Sequence, residues 1–447
     1  MAFCEDFAWG VSTAAYQIEG GAFEGDKGLN VWDVGSMTEG RIFEGHKAHI
    51  GCDHYHKFQE DIALMRELGI RHYRLSLNWS RLLPHGVGKV SEDGKRFYTE
   101  LFLALKSAGI TPWVTLFHWD YPYELYEKGG WLNNNSPLWF EEYAEKVVRL
   151  FGEYIDHYIL INEPQCFIGV GHSVGEHAPF LKLAPRDVLK CCHNVLLACG
   201  RAEKIIRKTS NRPVQIGTAQ AYWPSIPKTP EDYEAAREDT FACHRDYGSV
   251  ALWMDPLVFG RYPEDYLKWM SENGVVPTKK DMAIIRSKMD FIGFNTYSGN
   301  MVTSKDGKPE RLTPEPSVPK TDMRWNVYPD CMYYGPKYLY ERYGLPLVCT
   351  ENGVALAEWK DVDGRILDYS RVDFIKRYLR SLDRAAQEVP VKGYFHWSFI
   401  DNFEWAEGFS KKFGLVHIDY ETGERTPKES AYYYKDVIET NGSNIHD

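Results

Sequence analysis

The chain has 447 residues, a formal charge of −11 and 15% aromatic residues, with 14 Trp and 29 Tyr among them. With no basic field to draw phosphates, that charge excludes a nucleic-acid partner. The nine cysteines are odd in number and show no metal-type pairing, and Cys191 and Cys192 are adjacent, which predicts reduced thiols rather than a disulfide framework.

The amino-terminal stretch lacks a basic region followed by an apolar one. No uninterrupted apolar run reaches the roughly 18–20 residues of a membrane span. A cytoplasmic protein with no membrane partner is therefore expected. Residues 7–14 read as the first strand and 15–21 as a loop, in which Gln17 on its residues alone is an ordinary loop glutamine. Residues 54–69 have helical periodicity with a terminal glycine and precede a strand at 70–77. His54 and His56 alternate with aromatics and show no third ligand, so no metal site is expected. Arg74 lies within a strand, where an unpaired cation is costly. It calls for a carboxylate, and Glu351 is the candidate.

A helix over 97–108, closed by Gly109, leads to a strand at 111–120 that ends in His118, Trp119 and Asp120. His118 can donate to a hydroxyl while Trp119 offers an apolar face. The helix 140–151 leads to an apolar strand that ends at Asn162, Glu163 and Pro164. A long helix at 188–208, a strand at 214–220 and a helical stretch at 230–254 follow. The strand 290–297 puts Asn295 and Tyr297 on one side by its period of two. Residues 304–329 read as a long surface loop carrying an isolated Trp325, a candidate wall for a bound group. The apolar run 345–349 emerges at Thr350, Glu351, Asn352 and Gly353. A helix at 372–387 and a last strand at 391–398 with Trp397 precede Glu404 and Trp405, a carboxylate among aromatics that suits a sugar ring.

About eight strands alternating with about eight helices predict a single (β/α)₈ barrel over 1–447, with no linker or repeat to divide it. In such a barrel all strand ends of one sense meet at one face. Glu163 and Glu351, far apart in the chain, would then share one pocket.

Five segments in register resemble glycoside hydrolase family 1, the β-glucosidases: Phe7 to Gly20, His118-Trp119-Asp120, Asn162-Glu163-Pro164, Thr350 to Gly353, and Trp397 to Trp405. The resemblance implies Glu351 as nucleophile and Glu163 as acid, then base. It implies glycone contacts from Gln17, His118, Asn162, Glu404 and Trp405, with Trp397 as the floor. Tyr297 and Arg74 would support Glu351, and Trp325 would stand at the aglycone. A retaining reaction through a glycosyl-enzyme needs carboxyl groups about 5–5.5 Å apart and no metal or organic cofactor. Glu404 speaks for a neutral sugar, since a phosphorylated one would meet like charge and the 6-phospho members lack this carboxylate. Glutamate at 163 likewise speaks against the thioglucosidase members.

Three positions depart from the family pattern: Leu160, Tyr121 and Asn78 replace its usual Thr, Leu and Ser. Leu160 is expected to bear on packing behind Glu163, and Tyr121 on the outer wall of the sugar pocket. The reading is a β-glucosidase acting on terminal β-D-glucosyl residues of oligosaccharides or aryl and alkyl glucosides. Its expected breadth takes in β-glucosides, β-fucosides and β-galactosides, and the competing readings are a transglycosylating β-glycosidase or β-galactosidase, and a non-catalytic sugar-binding barrel. Oligomeric state is open.

Overall fold

The computed structural model describes residues 3–447. Eight parallel strands close into a barrel: β1 (Ala8–Ser12), β2 (His72–Ser76), β3 (Thr111–Thr115), β4 (His157–Asn162), β5 (Gln215–Ala221), β6 (Ile292–Asn295), β7 (Leu347–Asn352) and β8 (Val391–Trp397). The ring closes where β1 pairs with β8, Ala8 facing Gly393 through Ser12 facing Trp397, and with β2 at Gly10 and His72. Helices pack outside, so the strands are covered on both faces. Continuous apolar runs such as Tyr158 to Ile161 are accordingly buried throughout. Among the described residues no helix is long and apolar enough to cross a membrane.

Local signals set the helix ends. The Ser91 hydroxyl accepts from the Gly94 N–H at 2.8 Å and starts the helix Glu92–Ala108. Gly109, at φ +72°, ends it in the left-handed region that an L side chain resists.

The barrel interior has its own apolar plug, separate from the outer core: Ala8, Trp113, Ile159, Ala219, Phe291, Val348 and Phe395. The Trp113 ring lies edge-on to Phe395 at 5.1 Å and stacks on His157 at 3.9 Å. The plug fills the barrel below, leaving its carboxyl ends for polar groups.

Three of the strand ladders slip near that end, two of them on β7, whose ladder with β8 shifts between Cys349 and Asn352. The β4–β5 register shifts between Ile159 and Asn162, and the β6–β7 register shifts between Cys349 and Glu351. An extra residue in one strand re-aims the side chains beyond it. Here those side chains include Asn162, Glu163 and Glu351.

Several expected elements differ. Residues 15–18 are a short helix, Ala15–Ile18, rather than loop. The helix expected to begin at 97 starts at Glu92, and the one expected at 140 starts at Ser136. The helical stretch 230–254 is broken into Tyr233–Phe241 and Val250–Phe259, since 242–249 contains Tyr247 and Gly248 in a turn anchored by Asp246. The supposed loop 304–329 begins as a hairpin, Asn300–Lys305 with Lys308–Arg311, that joins Ser225–Pro227 in a three-stranded sheet. Its turn is Asp306-Gly307, with both residues at positive φ. His54 pairs with Asp61 at 2.7 Å, and His56 pairs with Asp53 and Glu24. All nine cysteines are free thiols.

Phe395→Ala is expected to cost about 3–5 kcal/mol, because the plug cannot collapse inside a closed ring. The urea midpoint of the variant against the parent measures it; a loss under about 1 kcal/mol would show that the plug does not brace the barrel.

Candidate active site

The carboxyl ends of the strands surround a cavity of about 300 Å³. Glu163, Glu351, His118, Trp119, Asn295, Tyr297, Trp325, Trp397, Glu404 and Trp405 line it. Arg74, Asn162 and Gln17 stand behind these residues, fully buried.

Arg74 on β2 organises the floor. Its Nη1 donates to Glu351 Oε1 at 2.5 Å and to the Thr350 carbonyl at 3.1 Å. Its Nη2 donates to Asn162 Oδ1 at 2.6 Å, and its Nε to Thr115 Oγ1 at 3.2 Å. The pairing with Glu351 expected from the sequence is thus formed, along with three bonds that the sequence did not indicate.

Asn162 Oδ1 also accepts from Asn295 Nδ2 at 3.0 Å. With its oxygen fixed by two donors, Asn162 must turn its NH₂ toward His118 Nε2, 3.0 Å away. His118 Nε2 is therefore an acceptor, and the ring proton sits on Nδ1, which has no protein partner. Burial and the Arg74 charge hold His118 well below the usual histidine range, so the ring is neutral.

Glu351 Oε2 accepts from the Tyr297 hydroxyl at 2.7 Å. Glu163 has a different environment. It follows the slipped end of β4 at φ +44°, a strained conformation for a glutamate, and its Oε1 accepts from the neutral Asn295 amide at 2.9 Å. Burial raises both carboxyls, and the neighbouring charge of Glu351 adds to the rise at Glu163, bringing it to about 7. Arg74 and Tyr297 oppose that rise at Glu351, leaving Glu351 the more acidic of the two.

Gln17 lies on the short helix after β1. Its Nε2 donates to the Phe403 carbonyl at 2.8 Å, to Asn402 Oδ1 at 3.0 Å and to Glu404 Oε2 at 3.3 Å. Only its Oε1 is left without a partner. Burial, followed by the charges of Glu351 and Glu163, lifts Glu404 to about 8. Trp119 at φ +76° donates its indole N–H to the Asn162 carbonyl at 3.0 Å, and its ring packs against Trp405 at 4.5 Å. Trp405, at φ +50°, stacks on Tyr16.

Trp325 is not isolated. It packs on Tyr297 at 5.2 Å and meets Trp223 edge to face at 5.4 Å. Tyr121 does not reach the sugar pocket: its ring is buried against Trp79 and Trp131, and its hydroxyl faces Ser136. A tyrosine this large finds space only in the outer core there. Asn78 caps the helix Trp79–Leu82 by accepting from the Arg81 N–H, a task serine also performs. Leu160 is buried within β4.

Sequence reasoning missed Cys166, Glu176, His177, Tyr222, Trp223, Met323, Glu407 and Phe413, all of which line the cavity. Tyr222 and Trp223 directly follow β5, and the strand-end rule that found Glu163 would have found them. Cys166 lies at the start of a wide helical segment, Gln165–Val174, and Glu176 just past its end, and that segment carries no local signal of its position.

Arg74→Leu should raise the Glu351 pKa and leave a buried charge unpaired, costing about 3–5 kcal/mol at neutral pH. A carboxyl whose folded pKa lies above its unfolded value costs nothing in acid and more as pH rises. The deficit should therefore shrink in urea titrations at low pH. A deficit independent of pH would assign the loss to packing alone.

Residues 1–443 match the family model described as glycosyl hydrolase family 1. Beta-glucosidase A of Thermotoga maritima is 39% identical, the alignment covering 98% of each chain. Beta-glucosidase A of Acetivibrio thermocellus is 40% identical over 99% of each. The solved family 1 β-glucosidase from Thermotoga maritima superposes with a TM-score of 0.90 at 37% identity, over 98% of this chain and 99% of that one.

Proposed function

The chain belongs to glycosyl hydrolase family 1, and we propose that it is a retaining β-glycosidase that removes terminal non-reducing β-D-glucosyl residues. The observation that carries the reading is the unequal partnering of two carboxyls in one cavity. Glu351 is bound by a guanidinium and a phenol, and Glu163 by a neutral amide.

That difference supports the following roles. Glu351 begins ionised and attacks the anomeric carbon. The glycosidic C–O bond breaks, and Glu163 gives its proton to the departing oxygen. Asn295 donates into Glu163 Oε1, so the proton resides on Oε2. Forming the ester removes the charge on Glu351 that held up the Glu163 pKa, and Glu163 becomes a carboxylate able to take a proton from water. Water attacks the same carbon, Glu351 leaves, and two inversions give net retention. A carboxyl separation of about 5–5.5 Å belongs to this path.

The glycone sits on the Trp397 indole, with Trp405 beside it. His118 Nδ1–H supplies a hydrogen-bond donor, Gln17 Oε1 an acceptor, and Glu404 a carboxyl between them. Asn162 acts on the sugar and on His118 together, and Asn295 supports Glu163. Trp119 closes the pocket wall. Trp325 lies on the leaving-group side, against Tyr297. The chemistry calls on no metal or organic cofactor. The chain is read as one catalytic barrel working in the cytoplasm.

Two measurements test this. kcat/KM for an aryl β-glucoside should fall as pH rises through about 7, as Glu163 loses its proton, and fall again in acid as Glu351 gains one. Glu163→Gln should erase the alkaline limb and slow alkyl β-glucosides by about 10²–10⁴-fold, while the first-step burst on a dinitrophenyl β-glucoside drops far less. Equal losses on both substrates would remove Glu163 from the acid role. Glu351→Ala should end turnover of both, and proton NMR of the parent reaction should show the β-anomer first. Initial release of the α-anomer would defeat the retaining mechanism.

A further inference from the structure

We infer that the outer end of this cavity selects a planar aglycone that is uncharged or positively charged, and that Glu176 and Glu407 exclude anionic ones. The inference rests on the glycosidase reading and extends it to the leaving group.

The wall is aromatic from the reacting carboxylate outward. Tyr297 bonds Glu351, Trp325 packs on Tyr297 at 5.2 Å, and Trp223 meets Trp325 at 5.4 Å and 82°. Phe413 backs Trp325 at 6.2 Å, so the indole has little freedom to swing aside. Trp223 is 39% exposed, which puts the end of this wall at the mouth. A ring attached through the glycosidic oxygen passes Tyr297, Trp325 and Trp223 on its way out. Flat apolar surface is what such a wall rewards.

The acidic residues along the same path are all glutamates. Burial favours the protonated form of Glu163 and Glu404 deeper in, and Glu351 is paired with Arg74, so the rim charge falls to Glu176 and Glu407. The lining carries Glu163, Glu176, Glu351, Glu404 and Glu407, and neither lysine nor arginine. The ammonium that pairs with the lining residue Glu407 is shared with a second carboxylate. Lys411 lies 3.3 Å from Asp322 and 3.7 Å from Glu407, one cation against two carboxylates. Arg324 precedes Trp325 in the chain but is exposed and outside the lining. Concave walls of low polarisability concentrate a field of this kind. A carboxylate on the aglycone is repelled before it can stack, whereas a cation gains both from the rim charges and from the indole faces.

Three phenyl β-D-glucosides test the inference: those with para hydroxymethyl, trimethylammoniomethyl and carboxymethyl groups. The hydroxymethyl and carboxymethyl phenols have nearly the same acidity, so that pair carries the test. The ammonium makes its phenol a somewhat better leaving group, and the cationic compound is compared only between the parent and the double variant. In the parent enzyme kcat/KM for the anionic compound should be about tenfold below the neutral one. Roughly 0.5 M salt should narrow the spread, because exposed rim charges are screened. Glu176→Gln combined with Glu407→Gln should bring the neutral-to-anionic ratio to about threefold or less, and should lower kcat/KM for the cationic compound. An anionic compound within about threefold of the neutral one in the parent at low salt would overturn the inference. So would a ratio unmoved by the double substitution. Failure of the parent to cleave the neutral compound would overturn the glycosidase reading itself, and this inference with it.

Discussion

A guanidinium buried at the top of a barrel is tolerable only when each of its nitrogens finds an acceptor, and Arg74 shows how that requirement organises a site. Its bonds reach Thr115, Asn162, Thr350 and Glu351, on three strands other than its own. Each bond forces the next. Because Arg74 and Asn295 fix the Asn162 oxygen, the Asn162 amide must face His118, and His118 must carry its proton on Nδ1. A single cation therefore favours the ionised form of one carboxyl and, through Asn162, sets the tautomer of a histidine that it does not touch. Satisfied networks of this kind are rigid, since no member can turn without orphaning another.

The same network explains how two glutamates in one cavity come to differ. Burial alone would make both reluctant to ionise. The cation and the phenol are given to Glu351, whereas Glu163 receives a neutral amide and the repulsion of its neighbour. The environment, not the residue type, separates the roles. It also lets the roles change during a turnover, because the repulsion at Glu163 depends on whether Glu351 is charged.

The barrel was legible in the sequence because its strands are short apolar runs that stop at Gly, Pro or a polar cluster. Glu163 and Glu351 stand just where such runs end. Arg74 was legible because a cation in a strand demands an anion. The outer wall was much less so. Trp223 followed a recognised strand and could have been found, but Glu176, His177 and Glu407 owe their place to loops whose paths are set by distant contacts. Trp325 looked alone in a chain segment whose partners, Tyr297 and Phe413, lie on other elements. The hairpin at its start was hidden because Pro, Lys and Asp favour loops locally, while pairing with Ser225–Pro227 decides the outcome. Tyr121 shows the reverse error: adjacency in sequence to His118 and Trp119 suggested a place in the pocket, but the chain turns at Trp119 and sends the next rings into the outer core.

The slipped ladders on β4 and β7 have a consequence for how the chain can vary. In a strand, facing alternates with every residue, so position along it acts as a phase, and each slip is a phase shift installed just before a reactive carboxyl. The count of residues between the plug and the strand end thus matters more than which apolar residues supply it. Loss of one residue from 159–161 or 349–350 would invert the phase and point the following side chains out of the cavity, even with every motif intact. The loops beyond carry no such constraint. Their lengths can drift, reshaping the mouth while the carboxyls keep their aim.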